Sequence, residues 1–301
     1  MSSKAAKEAA KDGSAVVLPV ELPAAKTTGD APAVEVTVPK SAGSVKVEIP
    51  VEKVTPGTVA VIVHADGIEE IVKTSIPTGD GIQLTVDGDV TVKIVDNAKD
   101  FTDTQSHWAE ASIDFATSHE LFSGTSATTF TPDRSMTRAM LMTVLARFDG
   151  KDTTGGSVWY EKAMAWAKAN GISDGSTPNG NITREQLAAM LWRYAGSPAG
   201  DGALSSFQDR ARVSGYAVEA MRWAVGRGPD LRHRCRDAGS PERRHPGAGG
   251  HHPQAICREP EQINPDERRG RNGKPFRPLR LSYRQAVSRL HLIIPPIVSF
   301  W

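Results

Sequence analysis

Residues 136–148 read MTRAMLMTVLARF, and residues 182–194 read ITREQLAAMLWRY. In both stretches a Thr-Arg pair stands just before a run of apolar residues with the 3,4 spacing of a buried helical stripe. Threonine is a favoured N-cap residue, so Thr137 and Thr183 predict the starts of two helices. The recurrence predicts that the second half of the chain is built from copies of one unit.

The two copies share further features ahead of the Thr-Arg pair. Each has an aromatic residue near its start and a glycine in the loop before its second helix, which predicts helix, loop, helix. A third copy begins in the same way and stops matching after Gly228. A unit of this size cannot bury its own apolar face, so the copies are predicted to pack into one bundle. The shared features are Phe101-Thr-Asp103, His107-Trp108-Ala109, Trp159-Tyr160, Gly124, Gly175 and Phe207-Gln-Asp209.

Residues 31–97 follow a different pattern. Valine and isoleucine alternate with polar residues in six short segments, and Pro-Gly or Asp-Gly turns separate the segments. Such alternation predicts antiparallel hairpins with one buried face, in a small β-sandwich-like domain. The segments are 34–38, 45–49, 59–63, 69–73, 82–86 and 90–95.

The predicted fold class is therefore α+β, in a multidomain chain. A small antiparallel β-domain comes first, an all-α bundle of helix-loop-helix repeats follows, and the tail is largely disordered. The predicted boundaries are 1–30 for a flexible lead-in, 31–97 for the β-domain, 98–155 and 156–200 for two complete repeats, 201–228 for the first half of a third repeat, and 229–301 for an aberrant basic tail.

The net charge of the chain is an average of two unlike parts. The 301 residues have 36 basic and 35 acidic side chains, which gives a formal net charge of +1. From Arg227 onward, 15 basic residues stand against 7 acidic ones, and both cysteines and five of the eight histidines lie there. Because charge and composition change so abruptly, the tail must be explained separately from the rest of the chain.

Composition excludes several classes of protein. No run approaches the roughly 18 to 20 apolar residues of a membrane helix, so no membrane span is predicted. Residues 1–15 are polar and rich in lysine and alanine, which predicts no export signal there. Two cysteines are too few for a disulfide scaffold or a cysteine-built zinc site. Because no nucleophile elbow, P-loop or zinc motif is present, we predict no catalysis, no cofactor and no metal.

The repeats resemble the S-layer homology repeat, a three-copy module that holds proteins on Gram-positive and related cell walls. The resemblance rests on aromatic, glycine and Thr-Arg positions that recur in the same order over two copies and half of a third. It implies a pseudo-threefold bundle with glycan grooves between neighbouring repeats. The implied partner is an acidic, commonly pyruvylated, secondary cell-wall polysaccharide, and the implied location is extracellular, attached to the cell wall.

The resemblance also implies site residues. The arginine of the Thr-Arg signature would reach an acidic sugar group, and the loop glycines and the aromatics would lie against the sugar. A guanidinium can bind a carboxylate through two parallel hydrogen bonds, which suits this role. Met140 departs from the family pattern, which has an acidic residue there. The glycan-binding candidates are Arg138, Arg184, Thr137, Thr183, Gly124, Gly175, Trp108 and Trp159.

Each candidate has a purely structural alternative. Arg138 and Arg184 could pair with surface carboxylates, and Trp108 could pack in the core. The two loop glycines could simply supply a positive φ after a helix.

The tail lacks the second half of the third repeat, but a shifted reading frame permits it. Each codon of that frame takes the last two bases of one codon and the first base of the next. The codons of His245 and Pro246 then allow threonine, and those of Pro246 and Gly247 allow arginine, at the place where the Thr-Arg signature is expected. We therefore hypothesise that residues 229–301 are a frameshifted translation, which sequencing of the locus would decide. The alternative is a real basic tail for nucleic acid, an anionic glycan or a metal; we predict no nucleic-acid partner.

The sequence thus predicts a non-catalytic anchoring module. Two alternatives stay open. The repeats could anchor a larger surface-attached hydrolase, or they could belong to a lattice-forming S-layer protein that associates with itself.

Overall fold

Strands lie between residues 15 and 96, and all but one of the α-helices of the described residues follow them. The computed structural model describes residues 2–226, and this part of the chain is α+β. The strands are β1 Ala15–Val17, β2 Val34–Val36, β3 Ser44–Pro50, β4 Thr58–Val63, β5 Glu69–Ile71, β6 Ile76–Pro77, β7 Gly81–Asp87 and β8 Val90–Asp96. The helices are α1 Ser3–Asp12, α2 Glu110–Ser118, α3 Arg138–Phe148, α4 Glu161–Ala169, α5 Arg184–Tyr194 and α6 Val218–Gly226.

The strands form two four-stranded sheets. Their orders are β1-β3-β7-β6 and β2-β8-β4-β5, and every pairing is antiparallel except that of β1 with β3. In β3, the apolar Val45, Val47 and Ile49 are fully buried, while Lys46 and Glu48 are only partly so. This is the predicted alternation, and it places every second side chain of the strand in the core.

The two sheets share one core, and this determines how β7 connects to β8. Leu84 and Val86 of β7 and Val92 and Ile94 of β8 belong to the same buried cluster, although the two strands lie in different sheets. The turn at Gly88 therefore crosses from one sheet to the other. The sequence predicted a hairpin from this Asp-Gly turn, because local pattern does not distinguish a hairpin from a turn between facing sheets.

Part of the predicted flexible lead-in is folded, since residues 3–12 form a helix and residues 15–17 a strand. Within them α1 packs Ala6 and Ala9 into the core of the sheets, and β1 pairs in parallel with β3. The Ser2 side chain caps α1, and Gly13, at φ +77°, ends it. The sequence pattern missed this helix because its buried face consists of alanines, which give little apolar periodicity.

The helices that follow α1 share a second core. Helices α2 and α3 form the first helix-loop-helix unit, α4 and α5 form the second, and α6 is the first helix of the third. One buried cluster takes side chains from all five, so no unit has a core of its own. Its largest fully buried members include Ile113, Leu121, Leu141, Met142, Leu145, Ile182 and Met190.

The frameshift hypothesis and the proposed basic tail fall on residues 229–301, outside the described residues. Within residues 2–226, the helices are all too short or too polar to cross a membrane.

Hydrogen bonds and an ion pair attach the sheets to the end of α2. The side-chain amide of Asn97 donates to the carbonyl oxygen of Ser118 at 2.7 Å. Lys73, which follows β5, lies with its Nζ 3.1 Å from a carboxylate oxygen of Glu120. These contacts fix the first repeat against the strands.

The buried ring of His119 completes this attachment. Its Nδ1 lies 2.7 Å from the carbonyl oxygen of Phe115, so Nδ1 holds the proton and donates it. Nε2 then accepts the hydroxyl hydrogen of Ser75 at 3.2 Å, and that hydroxyl accepts the N–H of Ala60 at 3.3 Å. Burial of the ring lowers the pKa of His119 to about 4, because the imidazolium would lose its hydration.

We expect the free energy of unfolding to fall as the pH drops from about 6.5 to about 4. In that range the unfolded ring of His119 binds a proton and the folded ring does not. The loss is about 1.4 kcal/mol per pH unit, or roughly 3 kcal/mol in all, and it levels off below pH 4. Urea unfolding across this range should show the slope in the wild type and a reduced slope in His119→Gln. Equal slopes would contradict the assignment.

Candidate functional site

Backbone hydrogen bonds join the first two repeats edge to edge. The N–H of Arg138 donates to Gly180 at 3.1 Å, the N–H of Ala139 to Pro178 at 2.8 Å, and the N–H of Ile182 to Met136 at 3.0 Å. The Thr-Arg segment of the first repeat therefore lies beside residues 178–182 of the second. This pairing places Thr137 and Arg138 at the junction of the two repeats.

Both threonines of the Thr-Arg pairs are helix N-caps, as predicted. Thr137 accepts the N–H of Met140, and Thr183 accepts the N–H of Gln186, each at 3.3 Å. In the second repeat the side-chain oxygen of Gln186 accepts the N–H of Thr183 at 3.0 Å. In the first repeat the N–H of Thr137 donates instead to the Met140 sulfur at 3.5 Å, and sulfur is a weaker acceptor than an amide oxygen.

Arg138 is enclosed by the loop of the second repeat. Its guanidinium lies 2.7 Å from Asp174, and it donates to Ser176 at 2.8 Å, Ser173 at 3.0 Å and Thr177 at 3.3 Å. Its side chain is only 11% exposed. Bonds from Ser176, and then from Arg138, lower the pKa of Asp174 to about 2. Arg138 thus cross-links two repeats.

Arg184 makes a looser contact of the same kind with the third repeat. Its guanidinium lies 3.3 Å from Asp209, and both side chains are partly exposed. Arg184 and Thr183 line a cavity of about 230 Å³, here called the second groove. Arg210 and Arg212 also line it, together with Glu185 and Asp209.

The two loop glycines are required for different reasons. Gly175 has φ +75°, a conformation that glycine adopts without strain. Gly124 has no positive φ, but a Cβ there would lie 2.7 Å from the carbonyl oxygens of Ser126 and Thr129 and would collide with the Phe101 ring. The positive-φ alternative therefore applies to Gly175, and close packing explains Gly124.

An aromatic residue stands two positions before the first helix of each repeat. Trp108, Trp159 and Tyr216 occupy these places and are 57%, 55% and 49% exposed. None of them is a core residue. The Tyr216 hydroxyl donates to Glu185 at 3.0 Å, so it lies against the preceding repeat.

A groove between the first and second repeats brings three of the predicted residues together. This first groove has a volume of about 780 Å³ and includes Gly124, Thr137 and Trp159. Arg138, Gly175 and Trp108 do not line it. Its other lining residues are Leu121, Phe122, Ser123, Thr125, Phe130, Thr131, Arg134, Ser135, Met136, Met140, Thr143, Val144, Arg147 and Asn179.

The first groove is cationic. Among the described residues that line it, the charged ones are Arg134 and Arg147, and no carboxylate accompanies them. Arg147 donates to Thr153 at 3.1 Å and to the carbonyl oxygen of Leu121 at 3.2 Å, which are both neutral groups. The exposed Arg134 forms no side-chain hydrogen bond or ion pair with any residue in 2–226. Within the described part of the chain, neither guanidinium group therefore forms an ion pair with a carboxylate.

Sequence reasoning missed both arginines, but the repeat contained a signal for Arg147. The second helix ends on Arg147-Phe148 in one copy and Arg193-Tyr194 in the other. Arg193 donates to the carbonyl oxygen of Ile172 at 3.4 Å, the counterpart of the bond from Arg147 to Leu121. Arg134 has no counterpart, because the loop of the second repeat is shorter.

The opening Phe-Thr-Asp motif supports the wall of the first groove. Both carboxylate oxygens of Asp103 accept the N–H of Phe130, at 2.9 and 3.2 Å, and one accepts the N–H of Thr131 at 2.7 Å. These bonds, the one from Phe130 first, hold the pKa of Asp103 below its usual range. Asp103 therefore has a structural role.

The arrangement suits binding of an anionic sugar. Two guanidinium groups can take carboxylates, and an exposed indole offers an apolar face for a sugar ring. Among residues 2–226 no group of three or more His, Cys, Asp or Glu side chains is placed to hold a metal ion.

Comparisons with known proteins agree with the repeats in the sequence. Residues 100–139 and 151–188 match the model of the family described as the S-layer homology domain. The chain is 32% identical over 145 residues to an endoglucanase of Bacillus sp. (strain KSM-635), a match that covers 42% of this chain and 15% of the relative. It is 29% identical over 109 residues to an amylopullulanase of Thermoanaerobacterium thermosulfurigenes, covering 32% of this chain and 6% of the relative. The chain thus spans a small part of either relative.

Proposed function

We propose that this chain, which is an S-layer homology domain protein, attaches to the cell wall by binding an acidic secondary polysaccharide in its first groove. S-layer homology domains are non-catalytic modules that imply anchoring at the cell surface, so the general role follows from the family. The identity of the ligand and its binding residues are the proposal.

The charge of the first groove is the observation that carries the proposal. Arg134 and Arg147 line it without a carboxylate among the described lining residues. An acidic polysaccharide would supply the missing negative charge. A ketal-linked carboxylate, as in a pyruvylated sugar, has the planar geometry that a guanidinium binds through two hydrogen bonds.

The neighbouring residues have supporting roles in this proposal. The exposed Trp159 provides a face on which a sugar ring can stack, and Gly124 leaves the floor of the groove open. The Thr137 cap and the Arg138 cross-link hold the groove in shape. In the second groove, Arg184 binds an acidic sugar group, as the resemblance implied. This site is weaker because Asp209 already pairs with the guanidinium.

Binding to purified Gram-positive cell walls tests the proposal. The full chain should sediment with intact walls and should remain in solution after the secondary polysaccharide has been extracted from them. Chemical reduction of the polysaccharide carboxylates to alcohols should have the same effect as extraction. Sedimentation that is unchanged by either treatment would contradict the proposal.

A second role is favoured by the names of the relatives. An endoglucanase and an amylopullulanase share sequence with this chain, and the chain spans 15% and 6% of them. The repeats of this chain would then anchor a polysaccharide hydrolase that belongs to the same protein. Self-association in a surface lattice stays a prediction.

A further inference from the structure

Another cationic groove, distinct from the second groove, adjoins the first groove and lies between the strands and the first repeat. This junction groove has a volume of about 470 Å³, and it shares Phe122, Ser123, Gly124 and Arg147 with the first groove. Both volumes fall in the range of about 300–1,000 Å³ that is typical of ligand pockets. The remaining lining residues are Lys73, Lys99, Phe101, Thr117, Glu120, Ser126, Ala127, Lys151, Asp152, Thr153 and Thr154.

Positive charge exceeds negative charge in the junction groove. Its cationic lining residues are Lys73, Lys99, Arg147 and Lys151, and its acidic ones are Glu120 and Asp152. Lysine and arginine therefore outnumber the carboxylates by four to two among the described lining residues.

Both acidic side chains already have cationic partners. Glu120 lies 3.1 Å from Lys73, and Asp152 lies 2.8 Å from Lys162, which is not a lining residue. Lys99 donates to the neutral amide oxygen of Asn97 at 2.7 Å. Lys151 lies 3.5 Å from Asp149, which is not a lining residue. Lys99 and Arg147 thus form no ion pair among residues 2–226, and their charge is left for a ligand.

Gly124 lies where the two grooves meet. It lines both, and it has no side chain that would separate them. Arg147 also lines both, and its hydrogen bonds go to Thr153 and Leu121, so it is not hydrogen-bonded to a carboxylate among residues 2–226. A polymer bound in the first groove can therefore continue past Gly124 within reach of the same guanidinium.

We propose that the junction groove binds a further acidic unit of the polysaccharide held in the first groove. The chain would then run from Trp159 past Gly124 to Lys99 and Lys151, and the strand-rich part would contribute Lys73. This inference rests on the proposed function. It assigns to the strands a share in glycan binding, and it predicts a ligand longer than one groove.

The test uses polysaccharide fragments released from purified cell walls and sized by gel filtration. One fraction holds single repeating units, and the other holds several units joined. Calorimetric titration of the full chain should show tighter binding of the longer fraction. Lys99→Gln combined with Lys151→Gln should lower the affinity for the longer fraction about fivefold to tenfold and leave that for the shorter one unchanged. Both lysines are exposed, so the fold should tolerate the change.

One control and one further variant isolate the contribution of the junction groove. Lys53→Gln removes an exposed lysine of the strand-rich part that lines neither groove, and it should have no effect. Lys73→Gln combined with Glu120→Gln removes one cation and one carboxylate and so keeps the net charge of the groove; it should weaken binding of the longer fraction only through loss of the Lys73 contact.

The outcomes separate this inference from the proposed function. If long and short fragments bind equally well, or if the lysine variants bind long fragments as the wild type does, the junction groove is not a binding site and the first groove stands. If carboxyl-reduced long fragments bind unchanged, the acidic-sugar assignment is overturned. If neither fraction binds the wild type, both proposals fail.

Discussion

Replacing Arg134 and Arg147 together by glutamine is expected to lower the affinity for the released wall polysaccharide at least about a hundredfold. A hydrogen bond to a charged group contributes roughly 1.5–3 kcal/mol, and 1.4 kcal/mol is a factor of ten. Glutamine retains polarity and much of the side-chain length, so the main loss is charge in the first groove. Calorimetric titration with the polysaccharide measures the change.

Arg193→Gln is the matched control for this variant. Arg193 makes the bond in the second repeat that Arg147 makes in the first, but it does not line the first groove. The control should therefore show any structural cost of losing such an arginine while its binding stays at the wild-type level. A double variant that keeps its circular dichroism spectrum and its affinity would rule out the first groove as the anion site.

Arg138→Ala is expected to destabilise the repeats by about 2 kcal/mol. It removes an ion pair and three hydrogen bonds between the first and second repeats from a side chain that is 11% exposed. We place the cost below that of a fully buried pair because Asp174 is 69% exposed and can be hydrated when Arg138 is absent. Urea unfolding of wild type and variant gives the difference.

Arg184→Ala serves as the comparison for Arg138→Ala. Its ion pair with Asp209 is longer, at 3.3 Å, and the Arg184 side chain is more exposed than that of Arg138, at 28% against 11%, so we expect a loss of less than about 1 kcal/mol. The two variants distinguish a cross-link from a ligand contact. If Arg138→Ala unfolds like the wild type and yet loses wall binding, Arg138 contacts the glycan directly, as the resemblance implied.

The elements of the fold were predictable wherever the side chains form a clear pattern. All six alternating segments contain strands, and both Thr-Arg pairs begin helices, because burial of every second residue and N-capping act locally. Which strands pair with each other depends on contacts between distant parts of the chain, which a local pattern does not contain. The sequence therefore predicted β7 and β8 but not that they lie in different sheets.

The site was less predictable, because it depends on which repeat each side chain faces. Arg138 and Arg147 stand on the same helix, and the sequence favoured the one in the recognisable signature. The structure directs Arg138 into Asp174 of the next repeat and leaves Arg147 in the first groove. The sequence of a single repeat does not show that Arg138 turns away from the first groove, because its partner, Asp174, belongs to the next repeat.

The backbone bonds between residues 136–139 and residues 178–182 give the array a polarity. The Thr-Arg segment of one unit is completed by the loop of the next, so the cooperative unit straddles the boundary that the sequence repeat suggests. A unit excised at its sequence boundaries would lose the partner of its own second helix. Duplication or exchange of units is therefore expected to preserve folding only when neighbouring units are moved together with the junction between them.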